Sequence, residues 1–208
     1  MGHSTRIKIC GITSREDAIM AAGLGAWALG FIFYKESPRF ISPYKAKKII
    51  QDLPPFVTPV GVFVNQKEGA VKDIADLCGI RTLQFHGYES ADYCRRFSKF
   101  KVIKAFRVKE DFNISGLGAY AVSAFLFDAH EPKVYGGSGK TFNWDIIKDK
   151  NFTKPVILSG GLNAENVCEA IKAVGPFAVD VSSGVEESPG KKKFKLIQDF
   201  VEQVQEAQ

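Results

Sequence analysis

Short apolar runs that end in small or polar residues recur along this chain, and nearly every one is followed by a helical pattern. That alternation limits the fold more than any other feature. The runs cover residues 7–10, 27–33, 57–64, 82–86, 101–106, 125–127, 156–158 and 177–181. Thr13 and Ser14 ahead of Glu16 and Asp17, Ser42 ahead of Pro43, and Ser90 are helix-start signals placed between them. Strict alternation requires parallel strands joined by helical crossovers. Eight units in 208 residues, about 26 residues each, fit a compact single-domain α/β fold, the (β/α)8 TIM barrel. A doubly wound sheet fits less well, because Cys10-Gly11-Ile12-Thr13 after the first strand is not a dinucleotide fingerprint. Residues 1–5 read as an extension without a fold role and 6–208 as the barrel. Pro59 sets the expected start of the third strand at Val60. Residues 110–120 form the least periodic segment, a short or irregular helix, and the last two helices are expected over 164–174 and 191–205.

The seventh and eighth runs hand over to Ser159-Gly160-Gly161 and Ser182-Ser183-Gly184. Glycine turns at strand ends expose backbone N–H groups, which bind phosphate dianions. They also serve simply as tight turns. Two of them on successive strands, with hydroxyls in both, favour a phosphate cup, since barrels place phosphate loops after their last two strands.

In a barrel the other strand ends converge on the same face. They bring Cys10, Gln84, His86, Asp128 and Asp180, with Arg39 from the second loop and Gly137 from the Gly136-Gly137-Ser138-Gly139 loop. Cys10 reads as a nucleophile, a base or a small core residue. A following helix would favour its thiolate. Asp128, after Phe125-Leu126-Phe127, is a carboxylate at the end of a buried strand, which needs a functional or capping reason. Asp180 sits in an apolar strand as a loop cap or a hydroxyl acceptor. Arg39, in Ser37-Pro38-Arg39, offers a planar fork suited to a carboxylate. His86 is equally a satisfied strand-end histidine. The loop around Gly137 lacks P-loop spacing and is better read as a lid or a third phosphate contact.

Composition narrows the chemistry. Four scattered cysteines and three histidines lack metal-ligand spacing, so no metal is expected. A net charge of +5 without aromatic–basic interleaving gives no reason to expect nucleic acid, and Lys191–Lys193 reads as a solvated run at a helix start. No apolar run spans a bilayer and residues 1–8 lack a signal h-region, so the expected location is cytoplasmic. Acid and base across a ring, a phosphate anchor and no cofactor suit proton-transfer isomerisation of a sugar phosphate.

Several stretches carry a more specific likeness: KICGIT at 8–13, LGFIFYKESPRFIS at 29–42, GVFVN at 61–65, LQFHG at 83–87, GGSGKTFNW at 136–144, SGGLNAENV at 159–167 and DVSSGVE at 180–186. Together they resemble the phosphoribosylanthranilate isomerase family of tryptophan biosynthesis, over residues 6–200. The resemblance implies a (β/α)8 barrel that performs a cofactor-free Amadori rearrangement on a phosphorylated, carboxylate-bearing small molecule, as a monomer or homodimer. It also implies Cys10 as general base, Asp128 as general acid, and Arg39 on the anthranilate carboxylate. Gly137, Gly160, Gly161, Ser183 and Gly184 match the phosphate loops, while Gln84, His86 and Asp180, at their strand ends, are substrate-binding candidates from the residue reading alone. Phe85 and Lys193 depart from the family pattern at positions where leucine and an acidic residue are usual. A pentose-phosphate epimerase, an indoleglycerol phosphate synthase or a non-catalytic phosphosugar-binding barrel would share the glycine turns without pairing Cys10 with Asp128.

Overall fold

The computed structural model describes residues 4–129, 143–148 and 150–207. Eight parallel strands close into a ring in chain order: β1 (Arg6–Cys10), β2 (Ala28–Ile32), β3 (Thr58–Phe63), β4 (Thr82–Phe85), β5 (Lys101–Val108), β6 (Ala124–Ala129), β7 (Val156–Leu158) and β8 (Ala178–Val181). The crossovers are α1 (Arg15–Gly23), α2 (Pro43–Gln51), α3 (Glu68–Cys78), α4 (Ala91–Arg95), α5 (Val167–Val174) and α6 (Phe194–Glu206). Between β5 and β6, and among the described residues between β6 and β7, the helical pieces are short 3-10 segments at Ile114–Ala119 and Trp144–Ile146. The expected (β/α)8 barrel is the fold observed. No helix among the described residues is long and apolar enough to cross a membrane.

The helix starts follow side-chain chemistry. Ser14, Ser42 and Ser90 each accept a hydrogen bond from the amide three residues on, at 3.1, 3.4 and 3.2 Å, which satisfies a donor that the helix itself leaves open. Pro43 occupies the first turn of α2, where its missing N–H is no loss.

Three boundaries differ from the sequence reading. β3 begins at Thr58, not Val60. Thr58 N donates to Trp27 O, so the alternation of the ladder turns the Pro59 nitrogen toward β4, whose pairing starts only at Val60↔Thr82. A proline there removes no sheet hydrogen bond. α5 begins at Val167 rather than 164, because Asn163 and Asn166 spend the preceding turn on local bonds. Asn163 Oδ1 accepts from Glu165 N, and Asn166 Oδ1 from Asn163 N. α6 begins at Phe194 rather than 191, because Lys191–Lys192 is a strand, β10, paired antiparallel with β9 (Glu186–Ser188) across a Pro189-Gly190 turn.

Strand alternation divides the interior into two regions. Val60, Ile103, Ala105, Ala124, Leu126, Ile157 and Ala178 fill the ring itself. The opposite faces, such as Ile7, Ile9, Leu29, Phe31, Phe125 and Phe127, pack under the helices. Where β5 and β6 have only short helical pieces above them, aromatic rings supply the cover. Phe106 lies 5.1 Å from Tyr120 and 5.8 Å from Phe125, and Phe127 lies 5.7 Å from Phe112 and 5.0 Å from Phe152. Phe85, a departure from the family pattern, is fully buried and packs its ring 4.9 Å from Phe97 and 5.2 Å from Tyr93. Phe127→Ala opens a cavity in this cover and should lower unfolding free energy by about 3–5 kcal/mol in urea titration. A loss under about 1 kcal/mol would show that the ring cluster is not what seals this side.

Candidate active site

The polar groups lie at the C-terminal ends of the strands, above the apolar fill. Period two turns Lys8 and Cys10 of β1 inward together, and likewise Gln84 with His86, and Asp180 with Ser182. Asp128 faces inward above Ala124 and Leu126. Cys10, Arg39, Gln84, His86, Asp128, Ser159, Asp180 and Ser182 line one cavity of about 50 Å³. The sequence places six of these eight among its candidates and gives Ser159 and Ser182 only as parts of the two glycine turns. Larger hollows of about 870 and 770 Å³ open at the other end of the barrel, around Phe177 and Lys101. Their charged groups are lysines and arginines, so they lack an acid to work with a base.

Asp128 is buried and bonded. Its Oδ2 lies 2.9 Å from His86 Nε2, and His86 Nδ1 lies 2.9 Å from Gln84 Nε2. With the Gln84 amide donating to Nδ1, the ring proton sits on Nε2 and is donated to the Asp128 carboxylate. Turning the amide over would move the ring proton to Nδ1 and let a protonated Asp128 donate to Nε2. Gln84 Oε1 is buried without a partner among the described residues, so this chain of bonds has an acceptor to spare.

Cys10 differs from its expectation. Its pKa is raised, with burial the largest cause; the Lys8 and Lys192 ammoniums pull against it. The helix expected to lower it is too far along the chain, since α1 starts at Arg15 with Ser14 as its cap. Lys8 Nζ donates to Asp180 Oδ1 at 2.7 Å, both side chains buried inside the ring. Burial alone would lower Lys8, but Asp180 and Cys10 outweigh it and hold the ammonium charged. The pair is therefore read as ionised, although burial pushes Asp180 up.

Arg39 is only 7% exposed, and part of its fork is already engaged. Glu186, the first residue of β9, takes its Nε at 2.9 and 3.0 Å and its Nη2 at 2.7 Å. Glu186 also accepts from Lys192 Nζ at 2.8 Å. This overturns the reading of Lys191–Lys193 as a solvated run: hairpin alternation turns the middle lysine in, and its side chain is fully buried.

The two glycine turns lie against each other. Gly160 and Gly161 have φ of 88° and 66°, where a side chain is strained. A Cβ on Gly184 would stand 2.0 Å from Leu162 O, so the turn after β8 touches the loop after β7 and only hydrogen fits between them. Ser183 lies in the short 3-10 turn Ser183–Val185 that continues from β8. Gly137 falls outside the described residues. Among the described residues, no group of three or more His, Cys, Asp or Glu is arranged to hold a metal ion.

Residues 7–203 match the family model of N-(5′-phosphoribosyl)anthranilate (PRA) isomerase. The chain belongs to this family. A curated relative from Geobacter metallireducens, named N-(5′-phosphoribosyl)anthranilate isomerase, is 49% identical over 94% of this chain and 96% of its own. The crystal structure of phosphoribosyl anthranilate isomerase from Thermotoga maritima superposes with a TM-score of 0.86 at 42% identity, covering 97% of this chain and 99% of that one. Another solved phosphoribosyl anthranilate isomerase, 39% identical with a TM-score of 0.82 over 97% of this chain and 99% of its own, holds reduced 1-(o-carboxyphenylamino)-1-deoxyribulose 5-phosphate.

The sequence reading did not single out Lys8, Glu186 or Lys192. Lys8 was open to view, two residues before Cys10 on an alternating strand. The other two depended on recognising Pro189-Gly190 as a hairpin turn.

Far-ultraviolet thiolate absorbance, taken as the difference from Cys10→Ala, should titrate above the ordinary thiol value of about 8.5, because burial favours the neutral form. A midpoint below that value would mean that the two lysines prevail. Gly184→Ala should weaken inhibition by inorganic phosphate at least tenfold, about 1.4 kcal/mol, as the turns are forced apart. Unchanged inhibition would remove this turn from the phosphate site.

Proposed function

We propose that Cys10 and Asp128 are the base and acid with which this chain, a phosphoribosylanthranilate isomerase of tryptophan biosynthesis, rearranges N-(5-phosphoribosyl)anthranilate to 1-(2-carboxyphenylamino)-1-deoxyribulose 5-phosphate. The observation that carries the assignment is their placement: both are buried, both line the same cavity, and they stand on strands far apart around the ring, β1 and β6.

In this reading, protonated Asp128 gives its proton to the furanose ring oxygen. The C1′–O bond breaks and the nitrogen lone pair forms the C1′=N bond of a Schiff base. Cys10 thiolate takes the C2′ proton, and the electron pair moves to give an enolamine. The 2′-hydroxyl then loses a proton as C1′ gains one, yielding the ketone. His86 and Gln84 orient the Asp128 carboxyl through the two 2.9 Å bonds. Asp180 keeps Lys8 beside Cys10, where the ammonium opposes the effect of burial and favours the thiolate.

The remaining contacts hold the substrate by its two anionic ends. Gly160, Gly161, Ser183 and Gly184, with Gly137, take the phosphate on the turns after the later strands, supported by the positive φ of Gly160 and Gly161 and the close approach at Gly184. Arg39 takes the anthranilate carboxylate on the part of its fork that Glu186 leaves open. No cofactor takes part in this scheme. The enzyme acts in the cytoplasm, as a monomer or homodimer.

Cys10→Ser and Asp128→Asn should each lower kcat by about 10²–10⁴-fold with KM nearly unchanged, as expected for groups that act on protons in the transition state. The assay is loss of phosphoribosylanthranilate fluorescence with purified protein and fresh substrate. Near-normal turnover in either variant would take that residue out of its role.

A further inference from the structure

We infer that Glu186 is the positioning residue for Arg39, holding the guanidinium in the one orientation that receives the substrate carboxylate. This rests on the reading of Arg39 given above and adds to it a part of the chain, the β9–β10 hairpin, that touches neither reacting group.

Arg39 is fixed along its whole length. Its amide donates to Ser37 Oγ at 3.1 Å. Its Cδ passes so close to Gly11 that a Cβ there would stand 2.7 Å away, which ties the arginine to the loop that follows Cys10. Its head is gripped by Glu186 through Nε and Nη2 in fork geometry. Glu186 in turn is held from two sides, by Lys192 Nζ at 2.8 Å and by Gly190 N at 3.2 Å. Lys192 also donates to Ser182 O at 3.1 Å, and Ser182 Oγ donates to Cys10 O at 3.1 Å. Thr13 Oγ1 reaches Gly190 O at 2.5 Å, closing the hairpin onto the first loop. The hairpin therefore locks Arg39 to the ends of β8 and β1.

Charge explains why a carboxylate can stand beside a site that must attract another. Arg39 is a cation and Glu186 an anion; Lys192, whose pKa burial lowers while Glu186 pulls it back up, brings the buried cluster to one net positive charge when protonated. Glu186 orders Arg39 without cancelling it. Burial alone would raise Glu186, but Arg39 and Lys192 hold its carboxyl below the ordinary glutamate value, so it stays ionised at neutral pH. An arginine with no such partner would spread over many rotamers, and binding would have to order it.

Steady-state kinetics on Glu186→Gln test this, with inorganic phosphate as competitive inhibitor and Arg39→Ala and the double variant alongside. Glu186→Gln should raise KM about tenfold or more with kcat little changed, and phosphate inhibition should stay as in wild type, because the phosphate binds on the glycine turns. Glu186→Asp, which keeps the charge, should recover part of the loss and serves if the glutamine variant folds poorly. In the Arg39→Ala background the Glu186 substitution should have no further effect on KM. Phosphate inhibition weakened in parallel with KM, or a Glu186 effect that persists in full without Arg39, would overturn the proposal. An unchanged KM in Arg39→Ala alone would instead overturn the carboxylate role of Arg39.

Discussion

Pairing of β1 with β8 closes the ring, and the site depends on that closure. Arg6↔Ala178 and Lys8↔Asp180 set the register, and the second of these pairs is also the buried ion pair. A shift of one residue would turn Lys8 and Cys10 out toward the helices and bring Ile7 and Ile9 into the ring. The cost of burying Lys8 and Asp180 unpaired makes the alternative registers unfavourable, so the same contact selects the fold and places the thiol. Ser182 continues the seam beyond the strand, with its hydroxyl on the Cys10 carbonyl.

Two chains of hydrogen bonds reach the cavity. One runs across the ring along alternate residues, from Gln84 through His86 to Asp128, each bonded to the next. The other runs along the rim, from Lys192 through Glu186 to Arg39. Between them sits Cys10, whose thiol burial makes a poor acid and therefore, once ionised, a strong base. In the proposed scheme that gain in basicity is set against a thiolate that is scarcer at neutral pH, and Lys8 beside it moderates the penalty. In the same scheme the glycine turns after β7 and β8 contribute position only.

Much of this was legible in the chain. Alternating runs pointed to the barrel, and carboxylates or thiols at the ends of apolar strands marked Cys10, Asp128 and Asp180, since such groups need a reason to be buried. Serine caps located the starts of α1, α2 and α4. Several of the differences share a cause: the pattern around a residue does not show the contacts that the fold gives it. Pro59 sits within β3 because the neighbouring strand starts late, which no local pattern reveals. Lys192 is buried because Glu186 waits across a two-residue turn, where a run of three lysines alone suggests solvent. The local sequence shows Arg39 as a fork suited to a carboxylate but not that Glu186, 147 positions away, already takes part of it. Cys10 was expected to be acidified by a helix that in fact begins after an intervening loop, and burial reverses the direction.

The proposed scheme requires that Cys10 and Asp128 address the sugar from opposite sides while the phosphate rests on the glycine turns. A crystal structure of Asp128→Asn with unreacted substrate bound tests this most directly. The substituted side chain at position 128 should lie within hydrogen-bond distance of the furanose ring oxygen, with Cys10 Sγ facing the C2′ hydrogen and the phosphate on Gly160–Gly161 and Ser183–Gly184. A substrate whose C2′ hydrogen points away from Cys10, or whose phosphate lies off these turns, would contradict it.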